Sequence, residues 1–364
     1  MRRWIGALAL IAVILAACTP DSEPGTRNGA APGKSGTDSE PAVTQGVEVI
    51  AEKLKVPWSI AKAEDTFFIT ERPGSIVKIE NGKVVRQKVE LKETLSDASE
   101  AGLLGFVLNP DFPSESSAFA YYTYTDAGGQ KNRVVVLSYD GSAWREEETL
   151  LDGLPSGPVH HGGRLEIGPD GKLYVTAGDA SNPETAQDPA TLGGKLLRMN
   201  LDGSIPSDNP FPNSYVYTYG HRNPQGIAWL SDGSMYASEH GQSAHDEINR
   251  IAAGKNYGWP VINGDEQKEG METPLFHSGN ETWAPSGMDT DGERLYVATL
   301  RGNAVREFDT TAGTTRVLIN NLGRIRDVLV DSNYLYFVSN NTDGRVHPGE
   351  KDDKLYRIPL KELQ

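Results

Sequence analysis

The chain has 364 residues, and 35 Lys and Arg against 50 Asp and Glu leave a formal net charge of -15. So acidic a protein is repelled by a phosphate backbone, which excludes nonspecific nucleic-acid binding. Its 39 glycines exceed the usual share of about 7% and mark a turn-rich chain, long enough for one large all-β domain or two ordinary ones.

Arg2 and Arg3 form a basic start, Trp4 to Leu15 is an apolar run of signal-peptide length, and Leu15-Ala16-Ala17-Cys18 follows. The segment resembles a bacterial lipoprotein signal with its lipobox. That resemblance implies a signal peptide over residues 1–17, cleavage before Cys18, and a lipid on the Cys18 sulfur that anchors an extracytoplasmic protein to a membrane. It also accounts for the single Cys, which has no disulfide partner. An uncleaved anchor is the alternative, and the run is short of the roughly 20 residues a bilayer span needs. From Thr19 to Gly46 large apolar residues are almost absent, so burial cannot offset the entropy of ordering. Residues 18–46 therefore read as the lipidated Cys and a disordered linker, with a reach of roughly 30 Å.

Residues 47–364 carry short apolar runs, often alternating and punctuated by turn signals. They are Thr66–Thr70, Ala118–Tyr122, Leu173–Val175 after Asp170-Gly171, Met235-Tyr236 after Asp232-Gly233, Leu295–Val297 after Gly292, and Tyr334–Val338 after Asn333. These are strand and hairpin signals. Anchored on Phe68, Tyr121, Tyr174, Tyr236, Tyr296 and Tyr336, their spacings are 53, 53, 62, 60 and 40 residues. A period near 50 residues suggests the four-stranded blades of a propeller, and six anchors predict an all-β, six-bladed β-propeller. A pair of β-sandwiches is the alternative that so loose a period leaves open.

In a propeller, strand ends from every blade converge on one channel, so a site can be assembled from distant residues. Polar clusters that do not fit strand alternation lie beside the anchors: Ser99–Gly105, Val159–Arg164, Ala177–Asp179, Gly220–Gly226, Glu239–Gln242, Thr299–Gly302 and Gly323–Asp327. One such cluster would be a loop; seven predict a site.

These segments, with Val56-Pro57-Trp58, Thr70-Glu71-Arg72-Pro73-Gly74, Gly102-Leu103-Leu104-Gly105-Phe106 and Asn256-Tyr257-Gly258-Trp259-Pro260, resemble in content and order the soluble pyrroloquinoline-quinone (PQQ) dependent aldose dehydrogenases, the glucose/sorbosone dehydrogenase family of six-bladed propellers. The resemblance implies oxidation of an aldose at C1 to its lactone by hydride transfer to PQQ, with an unidentified electron acceptor. By the His-x-Gly-Gly-Arg pattern His160 is the base, since an imidazole accepts a proton near neutral pH. Asp179 matches the acid that orients it, and Arg222 the cation near the reactive quinone oxygen. Arg301, Arg324 and Arg326 fall on positions that hold the cofactor's carboxylates, which guanidinium geometry suits, with Arg301 standing where Lys is usual. Asn223 and Gln225 match amide contacts to the cofactor. Glu100 stands where Gln is found in sugar oxidisers, beside the base. The Gly241 and Gln242 carbonyls resemble a calcium loop, with Glu247 at a structural calcium position, calcium being a cation that prefers oxygen ligands. Adjacent His160 and His161 lack zinc-ligand spacing. Two rival readings are a propeller that binds a ligand or protein partner without turnover, and a calcium-dependent lactonase.

Overall fold

The computed structural model describes residues 34–35 and 46–363. The signal-like segment and Cys18 lie outside the described residues, as does the linker apart from Lys34, Ser35 and Gly46.

The described chain is all-β; its helices are two 3-10 turns, Pro183–Gln187 and Leu360–Leu363. Two short strands come first, β1 (Lys34–Ser35) and β2 (Glu48–Ala51). The chain then runs as β3 (Pro57–Ala63), β4 (Thr66–Glu71), β5 (Ser75–Glu80) and β6 (Lys83–Glu90); next β7 (Leu103–Leu108), β8 (Ser117–Asp126), β9 (Gly129–Tyr139) and β10 (Trp144–Pro155). There follow β11 (Leu165–Ile167), β12 (Leu173–Ala177), β13 (Lys195–Met199) and β14 (Val216–Tyr219), then β15 (Pro224–Trp229), β16 (Met235–Glu239), β17 (Glu247–Ile251) and β18 (Phe276–His277). The last are β19 (Pro285–Asp291), β20 (Arg294–Thr299), β21 (Ala304–Asp309) and β22 (Thr314–Ile319), with β23 (Ile325–Asp331), β24 (Tyr334–Ser339) and β25 (Leu355–Pro359).

Each group is an antiparallel meander, and hydrogen bonding gathers them into five sheets. The eight-stranded sheet is two consecutive meanders joined edge to edge where β10 runs parallel to β6, Trp144 against Val89 and Arg145 against Glu90. In the last sheet β2 pairs antiparallel with β25, so the start of the folded chain completes the sheet formed by its end. β1 runs parallel to β18. The first strand of each meander packs on the first strand of the next: β3 on β7, β7 on β11, β11 on β15, β15 on β19, β19 on β23, and β23 back on β3.

All six aromatic anchors fall on the second strand of successive meanders, β4, β8, β12, β16, β20 and β24. Those strands are buried on both faces rather than one; β12, for example, is buried at every position. The reason is that the core lies in layers between neighbouring meanders. Leu173, Val175 and Ala177 pack with Phe119, Tyr121 and Leu154 on one side, while Tyr174 packs with Ile227, Met235 and Ala237 on the other. Each of the larger aliphatic side chains and Phe119 contributes about 1.5–3 kcal/mol by leaving water.

Candidate active site

First and second strands of a meander run antiparallel, so residues before each first strand and after each second strand meet at one end of the circuit. A cavity of about 300 Å3 opens there. Glu100 comes before β7, His160 before β11, Arg222 and Asn223 before β15 and Arg324 before β23, while Gly241 follows β16 and Arg301 follows β20. With Gln225 on β15 and Arg326 on β23, all of these line the cavity. Arg324 lies one residue before β23 and Arg326 within it, so the two reach the cavity from a loop and from a strand.

His160 Nδ1 lies 2.8 Å from Asp179 Oδ1. A carboxylate can only accept, so Nδ1 carries the proton and Nε2 is left with its lone pair. Asp179 is 1% exposed, and its carboxylate also accepts from Ser181 N at 2.9 Å on Oδ1 and from Trp259 Nε1 at 2.9 Å on Oδ2. Glycine makes this approach possible: a Cβ on Gly178 would sit 2.0 Å from the His160 carbonyl oxygen, and one on Gly162, at φ +65°, 2.5 Å from that of Thr176. His161 also lines the cavity, its buried ring held between Ser156 Oγ and the Ser99 carbonyl, each at 3.1 Å. Arg164, the last residue of the motif, is buried in the wall, with Nε on the Gln225 carbonyl at 2.9 Å and Nη1 3.1 Å from Asp327 Oδ2.

The cavity is cationic. Its described lining carries six guanidiniums, of Arg72, Arg222, Arg301, Arg324, Arg326 and Arg345, against three carboxylates, of Glu100, Asp246 and Asp343. Arg324 gives Nε and Nη2 to Asp343 Oδ2 at 3.0 and 2.8 Å, and Arg326 gives Nη1 to Gln225 Oε1 at 2.9 Å. Burial, then the charges of Arg72 and Arg324, push the Arg326 guanidinium down to about 9. Burial also lowers Arg222. Its guanidinium lies over the Trp259 ring at 5.4 Å, and its buried Nε has no partner among the described residues. The same is true of His240 Nε2, whose imidazole burial pushes down to about 4. Glu100 accepts from the His160 backbone N at 3.3 Å and pairs with Arg345. Burial works to raise its carboxyl, yet Arg345, His240 and the His160 N–H hold it down at about 2. Asn223 Oδ1 accepts from Gly162 N at 3.0 Å, tying β15 to the His160 loop.

The Gly241–Gln242 loop and Glu247, read as two separate calcium positions, lie apart in the structure. Gly241 lines the cavity, Gln242 lines a separate concavity with His245, Asn263, Asp265 and Glu266, and Glu247 lines neither. Glu247 instead accepts from Gly264 N and Asn249 Nδ2, and burial followed by the Glu239 charge pushes it up to about 8. Asp246 already receives Gly241 N, Thr282 Oγ1, Trp283 N and Ala284 N. Among the described residues no three His, Cys, Asp or Glu side chains are grouped so as to hold a metal. The ligands expected at this loop are backbone carbonyls, which such a grouping of side chains does not include.

A family model described as glucose/sorbosone dehydrogenase matches residues 54–348. The chain belongs to that family. Among the relatives it matches are proteins named as sugar dehydrogenases. This member is 31% identical to an aldose sugar dehydrogenase of Escherichia coli over 344 residues, 83% of this chain and 92% of that protein. It is 36% identical to quinoprotein glucose dehydrogenase B of Acinetobacter calcoaceticus over 61% of this chain, an alignment that spans only 54% of that relative's length. The structure of the PQQ-bound aldose sugar dehydrogenase from Streptomyces coelicolor matches with a TM-score of 0.81 and 32% identity, covering 88% of this chain and 99% of the other.

Sequence reasoning left out Arg72, Arg345, Asp343, Asp246 and Trp259 as site residues. Arg72 and Trp259 lie inside segments that carried the family resemblance, so their presence was marked but not their contacts. Arg345 and Asp343 sit in the turn after β24, where neither periodicity nor a motif singles them out.

At the opposite end of the same strands lies a cavity of about 610 Å3 lined by Glu64, Glu166, Asp289 and Asp327 with Lys62, Asn109 and mostly apolar residues.

Proposed function

We propose that this family member is a PQQ-dependent aldose dehydrogenase that oxidises an aldose at C1 to the lactone, built as a six-bladed propeller. The closed circuit of first strands and the six meander-like arrays support the blade count. The observation that carries the activity is the cavity's charge: six guanidiniums exceed three carboxylates by three, and PQQ bears three carboxylates. Guanidinium cannot be neutralised by titration near neutral pH, so the excess asks for a bound anion. Arg301, Arg324 and Arg326 would hold the acid groups, Arg222 and Asn223 the quinone side, and Gln225 would hold Arg326 in place. PQQ, when bound, supplies the acceptor for the hydride of the sugar carbon.

The chain's own part is proton transfer and orientation. His160 Nε2 takes the proton of the anomeric hydroxyl, and Asp179 stabilises the imidazolium that forms. Glu100, kept ionised by Arg345, offers an acceptor to a sugar hydroxyl beside the base. A calcium ion would rest on the Gly241 and Gln242 carbonyls, with no part in the proton transfer. In the same reading Cys18 carries a lipid, and the enzyme faces the extracytoplasmic side of a membrane and passes electrons to an acceptor of unassigned identity.

The test mixes purified apo protein with PQQ and calcium and follows an artificial electron acceptor against a panel of aldoses. Dye reduction that needs PQQ, calcium and an aldose is the expected result. No PQQ binding by calorimetry at any calcium level would overturn the reading.

A further inference from the structure

Asp179 is buried, and a buried carboxylate needs a donor on each oxygen. Its two oxygens are served unequally. Oδ1 faces both His160 Nδ1 and Ser181 N, whereas Trp259 Nε1 is the one donor on Oδ2 among the described residues. The other side of the same indole lies under Arg222, with the guanidinium carbon 5.4 Å from the ring centroid. Trp259 is itself anchored, its N–H on the Gly220 carbonyl at 2.9 Å and its carbonyl under Gln187 Nε2 at 2.7 Å. It is 8% exposed and sits outside the residues that line the cavity.

We propose that Trp259 is a positioning residue that serves the base and the cation together, its N–H holding Asp179 against His160 and its ring face holding Arg222 toward the cavity. The N–H draws charge from the carboxylate, so it limits how strongly Asp179 favours imidazolium. Without it Oδ2 is bare, the carboxylate is more basic, and His160 becomes a free base only at higher pH. The ring face gives Arg222 an aromatic partner in place of a carboxylate. Arg222 is thus fixed without being neutralised, which leaves its charge for a ligand. This inference rests on the reading of His160 as the base.

Two substitutions in the full chain separate the two roles. Trp259→Phe keeps a ring under Arg222 and removes the N–H; Trp259→Leu removes both. The first readout is the titration of His160 in apo protein carrying 15N-labelled histidine, assigned with His160→Gln. The other readouts are PQQ affinity by calorimetry and the pH profile of kcat/KM. The other charged groups around His160, namely Glu100, His161, Arg72, Arg222, His240 and Arg326, are unchanged in sequence in both variants, and Trp259→Phe also leaves Arg222 its ring partner, so the Trp259→Phe titration reads the N–H alone. In Trp259→Phe the His160 titration and the acid limb of kcat/KM move together to higher pH, and PQQ affinity is unchanged. In Trp259→Leu the same titration moves and PQQ binds about three- to tenfold more weakly. A His160 titration in Trp259→Phe that overlays the wild type overturns the coupling. So does a folded Trp259→Leu protein that binds PQQ as the wild type does. The titration needs no turnover: a chain that oxidises no aldose yet shows the Trp259→Phe shift refutes the dehydrogenase reading and upholds the Trp259 contact.

Discussion

Two cavities sit at opposite ends of the same first strands, and they hold opposite charge by different means. At one end, the guanidiniums outnumber the carboxylates, and Arg222 Nε has no partner among the described residues. At the other, Glu64, Glu166, Asp289 and Asp327 share the lining with one lysine, Lys62, itself bound to Asp331 at 2.7 Å. Between the ends Arg164 gives Nε to the Gln225 carbonyl and Nη1 to Asp327. An excess of carboxylate can be relieved by taking up protons, and burial favours this in the far cavity, pushing Glu166 up to about 8 and Asp289 up to about 6 and raising Asp327. An excess of guanidinium has no such outlet and is completed by an anion. The difference teaches which end is a binding site and which is a proton-dependent part of the scaffold.

The hardest blow to that comparison would come from the base. His160→Ala is expected to lower kcat about 10²–10⁴-fold while PQQ affinity stays near wild type, checked by steady-state kinetics beside calorimetry; normal turnover would remove His160 from the chemistry. Next in size, Arg326→Ala is expected to weaken PQQ binding roughly 10- to 100-fold, the scale of one charge-assisted hydrogen bond. Equal affinity would mean that the cationic end is balanced by something other than the cofactor.

Stability against pH probes the other end. Glu166 and Asp289 take up protons at higher pH in the folded chain than in the unfolded one. Their stabilising effect is complete below the unfolded carboxyl range near 4 and is lost as pH rises through about 6 and about 8. The wild type is therefore expected to unfold at lower urea concentration at pH 9 than at pH 5, and Glu166→Gln with Asp289→Asn to flatten that difference. An unchanged slope in the double variant would show that the two carboxyls are not charged against their surroundings. The smallest effect sharpens the division: Glu166→Gln alone should leave kcat and PQQ affinity as they are, and a change in either would join the two ends into one site.

The relation of sequence to structure follows the same division. The strand runs around Phe68, Tyr121, Tyr174, Tyr236, Tyr296 and Tyr336 were legible because each carries its own apolar pattern and turn signal, and each is a second strand of its meander. Arg222, Arg301, Arg324, Arg326, His160 and Asp179 were legible as motif positions, whereas Arg345 was not. Gln242, read as a carbonyl ligand, and Glu247, read from a segment further along, were legible only as sequence positions, and the fold puts the Gln242 residue in a concavity with His245 and Asn263 and gives the Glu247 carboxylate the Gly264 N–H. A motif reports which residues are near one another along the chain, and it is silent on which way a turn points them.

Composition, turn chemistry and local alternation by themselves determined that the chain is a turn-rich all-β protein with repeated strand units and an acidic surface. Only the tertiary structure decided that Arg345 meets Glu100 across 245 residues, that Trp259 meets Asp179 across 80, and that acid gathers at one end and base at the other. Local pattern arises from forces between neighbours along the chain. These pairings arise where loops from separate meanders are carried to a common end by strands that pack in a ring.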